Sequence, residues 1–429
     1  MAQGDGQDER ALVRKIAWRT LPLILLSYFI AFVDRANISF AASTMNADLG
    51  FSEAVYGIGA SAFFIGYALF EVPSNLALAR FGARRWLARI MLTWGLISAA
   101  TAFIHGPWQF YIMRFLLGVA EAGFYPGVIL YLSGWFPGEH RAWAVSRFYI
   151  ALPLAFIAMG TLAAPLLALD GWLGLRGWQW LLIAEGLPSV LLAAVLLAAL
   201  PDRPETARWL SDDERTWLTA ALCAEAAATG DVPHSLLRAL LHPAVLMLGL
   251  ANALNFLAIN AITFSAPNLL ARDTGLNVAG VGQIVSAGGV AIAFGLLIVS
   301  LLVGKTVTRT LATYAGLMLA ASGGMALLWL GGTAATSTGG YILFVGAAQT
   351  AGMLPLAIIS RLVPPADRAA GLAMANTISQ CGAFLGPLIW GLAASATGSY
   401  NLGAGLLLPF ALASAVTALL VRRASARPA

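Results

Sequence analysis

Residues 18–42 read WRTLPLILLSYFIAFVDRANISFAA. The run is long enough to cross a hydrocarbon core, which takes roughly 20 apolar residues as an α-helix. Past Arg19 at its edge, its only charges are the adjacent Asp34 and Arg35. An ionisable side chain at mid-bilayer costs about 2.5–3.5 kcal/mol even on a lenient insertion scale, so a charge kept there points to a working site. The polar stretch ahead of this run does not have the form of a cleavable leader, and the first span is expected to be retained.

The same pattern runs through the whole chain. Of its 429 residues 59% are hydrophobic and only 10% charged, with a mean hydropathy of +0.80. A soluble domain carries about 25% charged residues to cover its outside, so lipid must be the solvent for most of this surface. Twelve spans are expected, at roughly Trp18–Ala42, Ala54–Ala79, Trp86–Ile104, Trp108–Phe136, Trp143–Leu169 and Trp178–Leu200, then Ala244–Leu270, Val278–Val303, Thr310–Leu330, Tyr341–Ile359, Ala369–Ala394 and Leu402–Val421. The polar interval between the sixth and seventh reads as a cytoplasmic linker over residues 201–242. It divides the chain into six-span halves at 1–200 and 243–429. Within it, Ser211-Asp212-Asp213-Glu214 is the sequence of a capping box that opens a short helix.

Basic residues decide which side each loop faces. If both termini are cytoplasmic, 21 of the 25 Lys and Arg lie on that side, among them Arg80, Arg84, Arg85, Arg141, Arg238, Lys305, Arg361 and Arg427. Only Arg176 and Arg272 fall in outer loops, while Arg35 and Arg114 lie within spans. Such a bias is the positive-inside pattern of a multi-pass protein. The net charge of +5 is scattered in short clusters rather than gathered on one segment, which argues against nucleic acid as a partner. Cys223 and Cys381 make neither a disulfide framework nor a metal motif. His105, His140, His234 and His242 all fall at or near loops. An enzyme would need a nucleophile–base or metal constellation, and the spans hold none, so neither catalysis nor a cofactor is expected.

The fourth span carries Arg114 and Glu121, seven residues or two helical turns apart, which puts them on one face about 10 Å apart. Together with Asp34 and Arg35 they suggest a polar cavity in the first half. An arginine there is a standing receptor for a carboxylate, often bidentate. The plainer readings are that Asp34 and Arg35 snorkel as a structural pair, and that Arg114 and Glu121 brace their own helix. Glu71 is expected to brace the bend at Pro73 or the loop beyond it, and Glu185 is open between structure and function. Asn252, Asn255 and Asn260 in the seventh span either join helices or, beside Phe256 and Phe264, touch a substrate, with Asn255 the candidate.

The residues Asp34-Arg35-Ala36-Asn37, Glu71-Val72-Pro73-Ser74-Asn75, Phe81-Gly82-Ala83-Arg84-Arg85 and Arg114-Phe115-Leu116-Leu117-Gly118-Val119-Ala120-Glu121-Ala122-Gly123 carry a resemblance. So do Leu200-Pro201-Asp202-Arg203-Pro204 and Trp209-Leu210-Ser211. The chain resembles the major facilitator superfamily, and within it the anion:cation symporter branch of tartrate, phthalate and sugar-acid transporters. The resemblance implies an all-α integral membrane protein with twelve transmembrane helices in two pseudo-symmetric six-helix bundles. It further implies a monomeric proton-coupled symporter importing a small organic anion across a bacterial inner membrane by rocker-switch alternating access. A drug/proton antiporter of the same fold is the alternative.

By position, Asp34 and Glu121 match the proton-coupling carboxylates, Arg35 the substrate-binding arginine, and Arg114 the fourth-span arginine of the same cavity. Tyr67, Asn376 and Gln380 match substrate-lining positions. The chain departs from the family after the second span, where Ala77-Leu78-Ala79-Arg80-Phe81-Gly82 lacks the usual acidic residue. It departs again at Leu152 and at Gly352-Met353-Leu354-Pro355. Both of these later changes speak against a polyhydroxylated substrate.

Overall fold

A computed structural model describes residues 2–229, 240–303, 306–331, 333–363 and 368–425. The expected topology anchors Arg238, Lys305 and Arg427, and with them His234, lie outside the described residues. In the first half, α1 (Ala2–Leu49), α2 (Glu53–Phe81) and α3 (Ala83–Thr101) are single spans. They are followed by α4 (Pro107–Glu121), α5 (Phe124–Ser133), α6 (Gly138–Phe148), α7 (Ala151–Leu167) and α8 (Gly177–Ala199). The linker contains α9 (Asp212–Thr229). The second half has α10 (Pro243–Thr274), α11 (Val278–Leu302), α12 (Val307–Leu330), α13 (Ala334–Ala351), α14 (Leu354–Leu362), α15 (Arg368–Thr397) and α16 (Tyr400–Ser425).

Among the described residues eleven stretches are long and apolar enough to cross a membrane. The twelfth, α3, is shorter and opens on Arg84, Arg85 and Arg89, yet it buries Trp94 and packs against α8 and α4 like its neighbours. The first helix runs well beyond its expected start at Trp18, reaching back to Ala2.

Three spans are broken, and each break has the same cause. Proline lacks an N–H and so leaves the carbonyl four residues earlier without its helical partner. Pro126 does this to Ala122, Pro153 to Tyr149 and Pro355 to Ala351, and there α4, α6 and α13 end. In the fourth span the turn is completed by Gly123 at φ +82, a left-handed conformation that glycine adopts freely. The fourth and tenth spans, α4–α5 and α13–α14, thus break at corresponding places in the two halves.

The packing repeats between the halves as well. Within the first bundle α2 packs on α4, α3 on α8 and α1 on α7, and within the second α11 packs on α13, α12 on α16 and α10 on α15. The bundles meet along α2 with α15 and α7 with α11, again a symmetric pair, and along α1 with α10. Lipid tails are as apolar as leucine, so these contacts rest on close packing and interhelical hydrogen bonds rather than on exclusion from water. Glycine makes the closest of them. A Cβ at Gly57 of α2 would lie 2.7 Å from the Pro387 carbonyl of α15, and Gly160 of α7 meets Gly282 of α11 backbone to backbone.

Those glycine contacts lie toward one end of the molecule, the far end. There Tyr56 also donates to the Phe264 carbonyl (3.0 Å) and Tyr400 to Glu53 (2.5 Å), both across the halves. The opposite, basic end carries the arginine clusters and the linker. The predicted capping box is present: Glu214 N–H donates to Ser211 Oγ at 3.2 Å and Ser211 N–H to Glu214 Oε2 at 2.8 Å. Glu214 further pairs with Lys15 (2.7 Å), Glu225 with Arg141 (3.1 Å) and Asp202 with Arg84 (3.7 Å). These pairs tie the linker to the first half. Partial burial works to raise the Glu214 carboxyl, but the Lys15 ammonium and the Ser211 N–H and hydroxyl outweigh it and hold the group below the usual glutamate range.

Candidate functional site

A cavity of about 150 Å³ lies between the halves. The first half contributes Tyr28, Phe32, Arg35, Phe64, Tyr67, Tyr125, Tyr149, Leu152 and Phe156. The second contributes Phe256, Ile259, Asn260, Thr263, Phe264, Gln349, Gly352, Met353, Leu356, Asn376 and Gln380. Nine of the described lining residues are aromatic and one, Arg35, is charged. A wider recess of about 410 Å³ sits at the far end of the first half. Its charges are already engaged, Asp48 by Arg176 at 3.2 Å and Asp170 by the Gly177 N–H at 2.9 Å.

Arg35 and Asp34 are neighbours on one continuous helix, so their side chains leave it about 100° apart. Arg35 turns to the cavity and forms an ion pair with Glu121 of α4. Its guanidinium carbon lies 5.5 Å from the Phe32 ring centroid, 5.2 Å from Phe63 and 5.6 Å from Tyr67, within reach of cation–π attraction. Asp34 turns away, toward α3 and α8, where it accepts from Ser98 Oγ at 2.5 Å and Asn37 Nδ2 at 3.4 Å. The two adjacent charges therefore do different jobs on different faces, and they are not a snorkelling pair.

Arg114 departs from expectation. It is buried at 2% exposure, forms no ion pair among the described residues, and its Nε and Nη2 have no hydrogen-bond partner there. It rests instead against the rings of Phe63 (5.3 Å) and Phe264 (5.7 Å). The physical reason is reach and competition: Glu121 lies two turns away on the same helix and is held by Arg35. Arg114 is thus not among the cavity's described lining residues.

Asn255 is also placed off the cavity wall, because its Nδ2 donates to the Ala348 carbonyl at 3.1 Å and joins α10 to α13. Asn252 likewise joins α10 to α15 through Ser379 at 2.9 Å. The asparagine of this helix that reaches the cavity is Asn260. Residues 255 and 260 lie about 140° apart around a helix, so only one of them can face a given neighbour.

Tyr67, Asn376 and Gln380 line the cavity with Arg35. Asn376 Nδ2 also donates to Glu71 Oε1 at 2.5 Å, across the halves. The expectation that Glu71 braces the local bend is therefore only half right. Its backbone carbonyl accepts from Asn75 (2.8 Å), while its carboxylate leaves for the other bundle. Glu185 is buried at 5% exposure in α8, and neither carboxylate oxygen has a partner in hydrogen-bonding geometry among the described residues. It lies next to Gly186, whose Cβ position is 3.2 Å from Ser98 Cβ, so it stands beside the site that holds Asp34.

Sequence reading missed Tyr28, Tyr125 and Tyr149, the last two joined by their hydroxyls. Their closeness to Pro126 and Pro153, beside the breaks in the fourth and fifth spans, was the available signal. Among the described residues no group of three or more His, Cys, Asp or Glu is placed to hold a metal ion.

Comparison with known proteins agrees with this architecture. The Major Facilitator Superfamily profile matches residues 24–356 and 248–429. A putative tartrate transporter of Agrobacterium vitis is 41% identical, covering 97% of this chain and 95% of its own length. A quinolone resistance transporter of Acinetobacter baumannii is 38% identical over 93% of this chain and 91% of its own. Among solved structures, a bacterial homologue of the human lysosomal transporter Spinster, in an inward-facing and occupied conformation, superposes with a TM-score of 0.74. It shares 15% identity and covers 94% of this chain and 96% of that one.

Proposed function

The chain belongs to the Major Facilitator Superfamily and is a membrane transporter, and on that premise we propose that it carries a small organic anion together with protons through the cavity around Arg35. The supporting observation is that Arg35 is the one charged residue among the described lining residues and is already engaged by a carboxylate, that of Glu121. A substrate carboxylate can take the place of Glu121 on the guanidinium. Glu121, left in a low-dielectric site without its counter-charge, then takes up a proton. Asp34, one residue from Arg35, is the second proton carrier. Loading of anion and proton are coupled because the anion and the Glu121 carboxylate compete for one arginine.

The basic end faces the cytoplasm of a bacterium in this reading, with both termini on that side of the inner membrane. Residues 1–200 and 243–429 are the two bodies that rock about the cavity, and the linker helix α9 travels with the first. The nine aromatic rings favour a flat aromatic acid over a polyhydroxylated one. The same apolar wall supports a second reading, a proton-coupled drug antiporter, against which Arg35 and the buried Arg114 stand.

The two are separated in proteoliposomes. Counterflow of a radiolabelled carboxylate, with accumulation when the outside is made acidic, is expected of the symporter. Glu121→Gln keeps counterflow but loses accumulation. Accumulation by that variant at the wild-type level sinks the proton role, and efflux of lipophilic cations without carboxylate counterflow favours the antiporter.

A further inference from the structure

At one wall of the cavity, two side chains from opposite halves meet. Asn376 of α15 lines the space, and its Nδ2 donates to Oε1 of Glu71 of α2 at 2.5 Å. Glu71 stands behind that wall, 7% exposed. Nothing in its own helix uses its carboxylate, since the local hydrogen bond at this position is made by its backbone carbonyl with Asn75.

A primary amide has two unlike ends: its NH₂ donates and its carbonyl accepts. The Glu71 Oε1 in this contact accepts, so it takes the NH₂ end, and this fixes which way round the amide sits. No described residue donates to Asn376 Oδ1, which leaves the accepting end for whatever fills the cavity. A carbonyl oxygen is a poor neighbour for an anion and a good one for a hydroxyl or an N–H. The cavity therefore has a cationic pole at Arg35 and an accepting pole at Asn376, with aromatic walls around them.

We propose that Glu71 is a specificity-determining positioning residue that presents Asn376 as a hydrogen-bond acceptor, so that the substrate is an aromatic carboxylate bearing a hydroxyl or amino donor away from its carboxylate. This rests on the reading of Arg35 as the carboxylate's partner. It assigns a role to a residue outside the cavity lining, and it selects among carboxylates rather than admitting all of them.

The test uses the full-length protein in detergent and three matched probes: benzoate, 4-hydroxybenzoate and 4-methoxybenzoate. Dissociation constants are measured by equilibrium binding. Wild type is expected to bind the hydroxy acid about tenfold more tightly than the other two, the size of one hydrogen bond that would otherwise be missing. In Glu71→Ala that preference falls below about threefold, because the amide is free to turn. Glu71→Gln falls between the two, because the glutamine amide can meet either end of Asn376 and fixes it only in part. Measurable benzoate binding in each variant reports an intact cavity. A preference that persists undiminished in Glu71→Ala, or is missing from wild type while benzoate binds, overturns the proposal. Failure of all three acids to bind wild type overturns the reading of Arg35, and this inference with it.

Discussion

Glu121 reaches across to Arg35 on another helix rather than to Arg114 on its own. The two arginines of the first half are thereby made unequal. One is ion-paired at the cavity surface, and the other lies behind an aromatic wall with no ion pair among the described residues.

Substitution should expose that inequality. Arg35→Lys replaces a planar fork by a point charge and removes bidentate geometry. It is expected to weaken carboxylate binding roughly 10–100-fold, the range of hydrogen bonds to charged groups. Arg114→Lys keeps the long-range positive potential and should weaken binding by under about tenfold. Binding constants for one carboxylate probe across both variants decide the matter, and equal losses would remove Arg35 as the contact group.

Glu185 is buried in a helix contact, where its carboxyl interacts with the Asn37 amide but neither oxygen has a partner in full hydrogen-bonding geometry among the described residues. Glu185→Gln keeps the shape and offers an amide with donors of its own, at a site where buried oxygens without full hydrogen bonds cost stability. The variant is expected to unfold about 2–4 °C higher than wild type, corresponding to roughly 1 kcal/mol. A lowered melting temperature in detergent would mean that the carboxylate has a partner the geometry does not reveal.

At the far end, a side chain at Gly57 meets backbone, which cannot move aside as a side chain can. Gly57→Leu is expected to act as a wedge of about 1–3 kcal/mol, the usual range for overpacking. The wedge should open the far end. Ile259, which lines the cavity, offers the reporter: with Cys223 and Cys381 replaced by Ser, Ile259→Cys should react faster with a membrane-impermeant thiol reagent added at that end. Unchanged labelling in a destabilised variant would show that Gly57 only packs.

The linker should respond to acid. A carboxyl held below its usual range contributes stability above that range and loses it as the pH falls through the lowered value. Docking of α9 on α1 through Glu214 and Lys15 is therefore expected to be intact at pH 5 and above. It should loosen only below the ordinary glutamate value of about 4.3. Both side chains are partly exposed, so the pair itself is worth no more than about 1 kcal/mol. Distances between spin labels at Arg14 and Thr216 follow the docking, and release already at pH 6 would rule out this pair as the tether.

The count of spans could be read directly, because hydropathy and the arginine distribution depend on composition and not on packing. The helix breaks could not. Pro73, Pro165 and Pro188 sit inside continuous helices, whereas Pro126, Pro153 and Pro355 each follow a break and lie in the first turn of the next helix, a difference that residue type alone does not carry. The site divides in the same way. That Arg35, Tyr67, Asn376 and Gln380 share a cavity follows from faces that periodicity and resemblance could suggest. Which arginine Glu121 chooses, and that Glu71 reaches into the other half, depend on distances between helices, which no single sequence encodes locally. Asn255 and Asn260 were separable only by knowing which face of α10 looks inward.

The glycine contacts of Gly57 with Gly391 and of Gly160 with Gly282 bear on how readily the two halves can part. Surfaces made of helix backbone have their amides already bonded within each helix. Separating them strands almost no donor or acceptor; it gives up dispersion and a few hydrogen bonds such as those of Tyr56 and Tyr400. A joint closed by interlocking side chains would have to unpick many rotamers before it moved. A joint closed by smooth rods can be tight when shut and still sit only a small thermal excursion away from open.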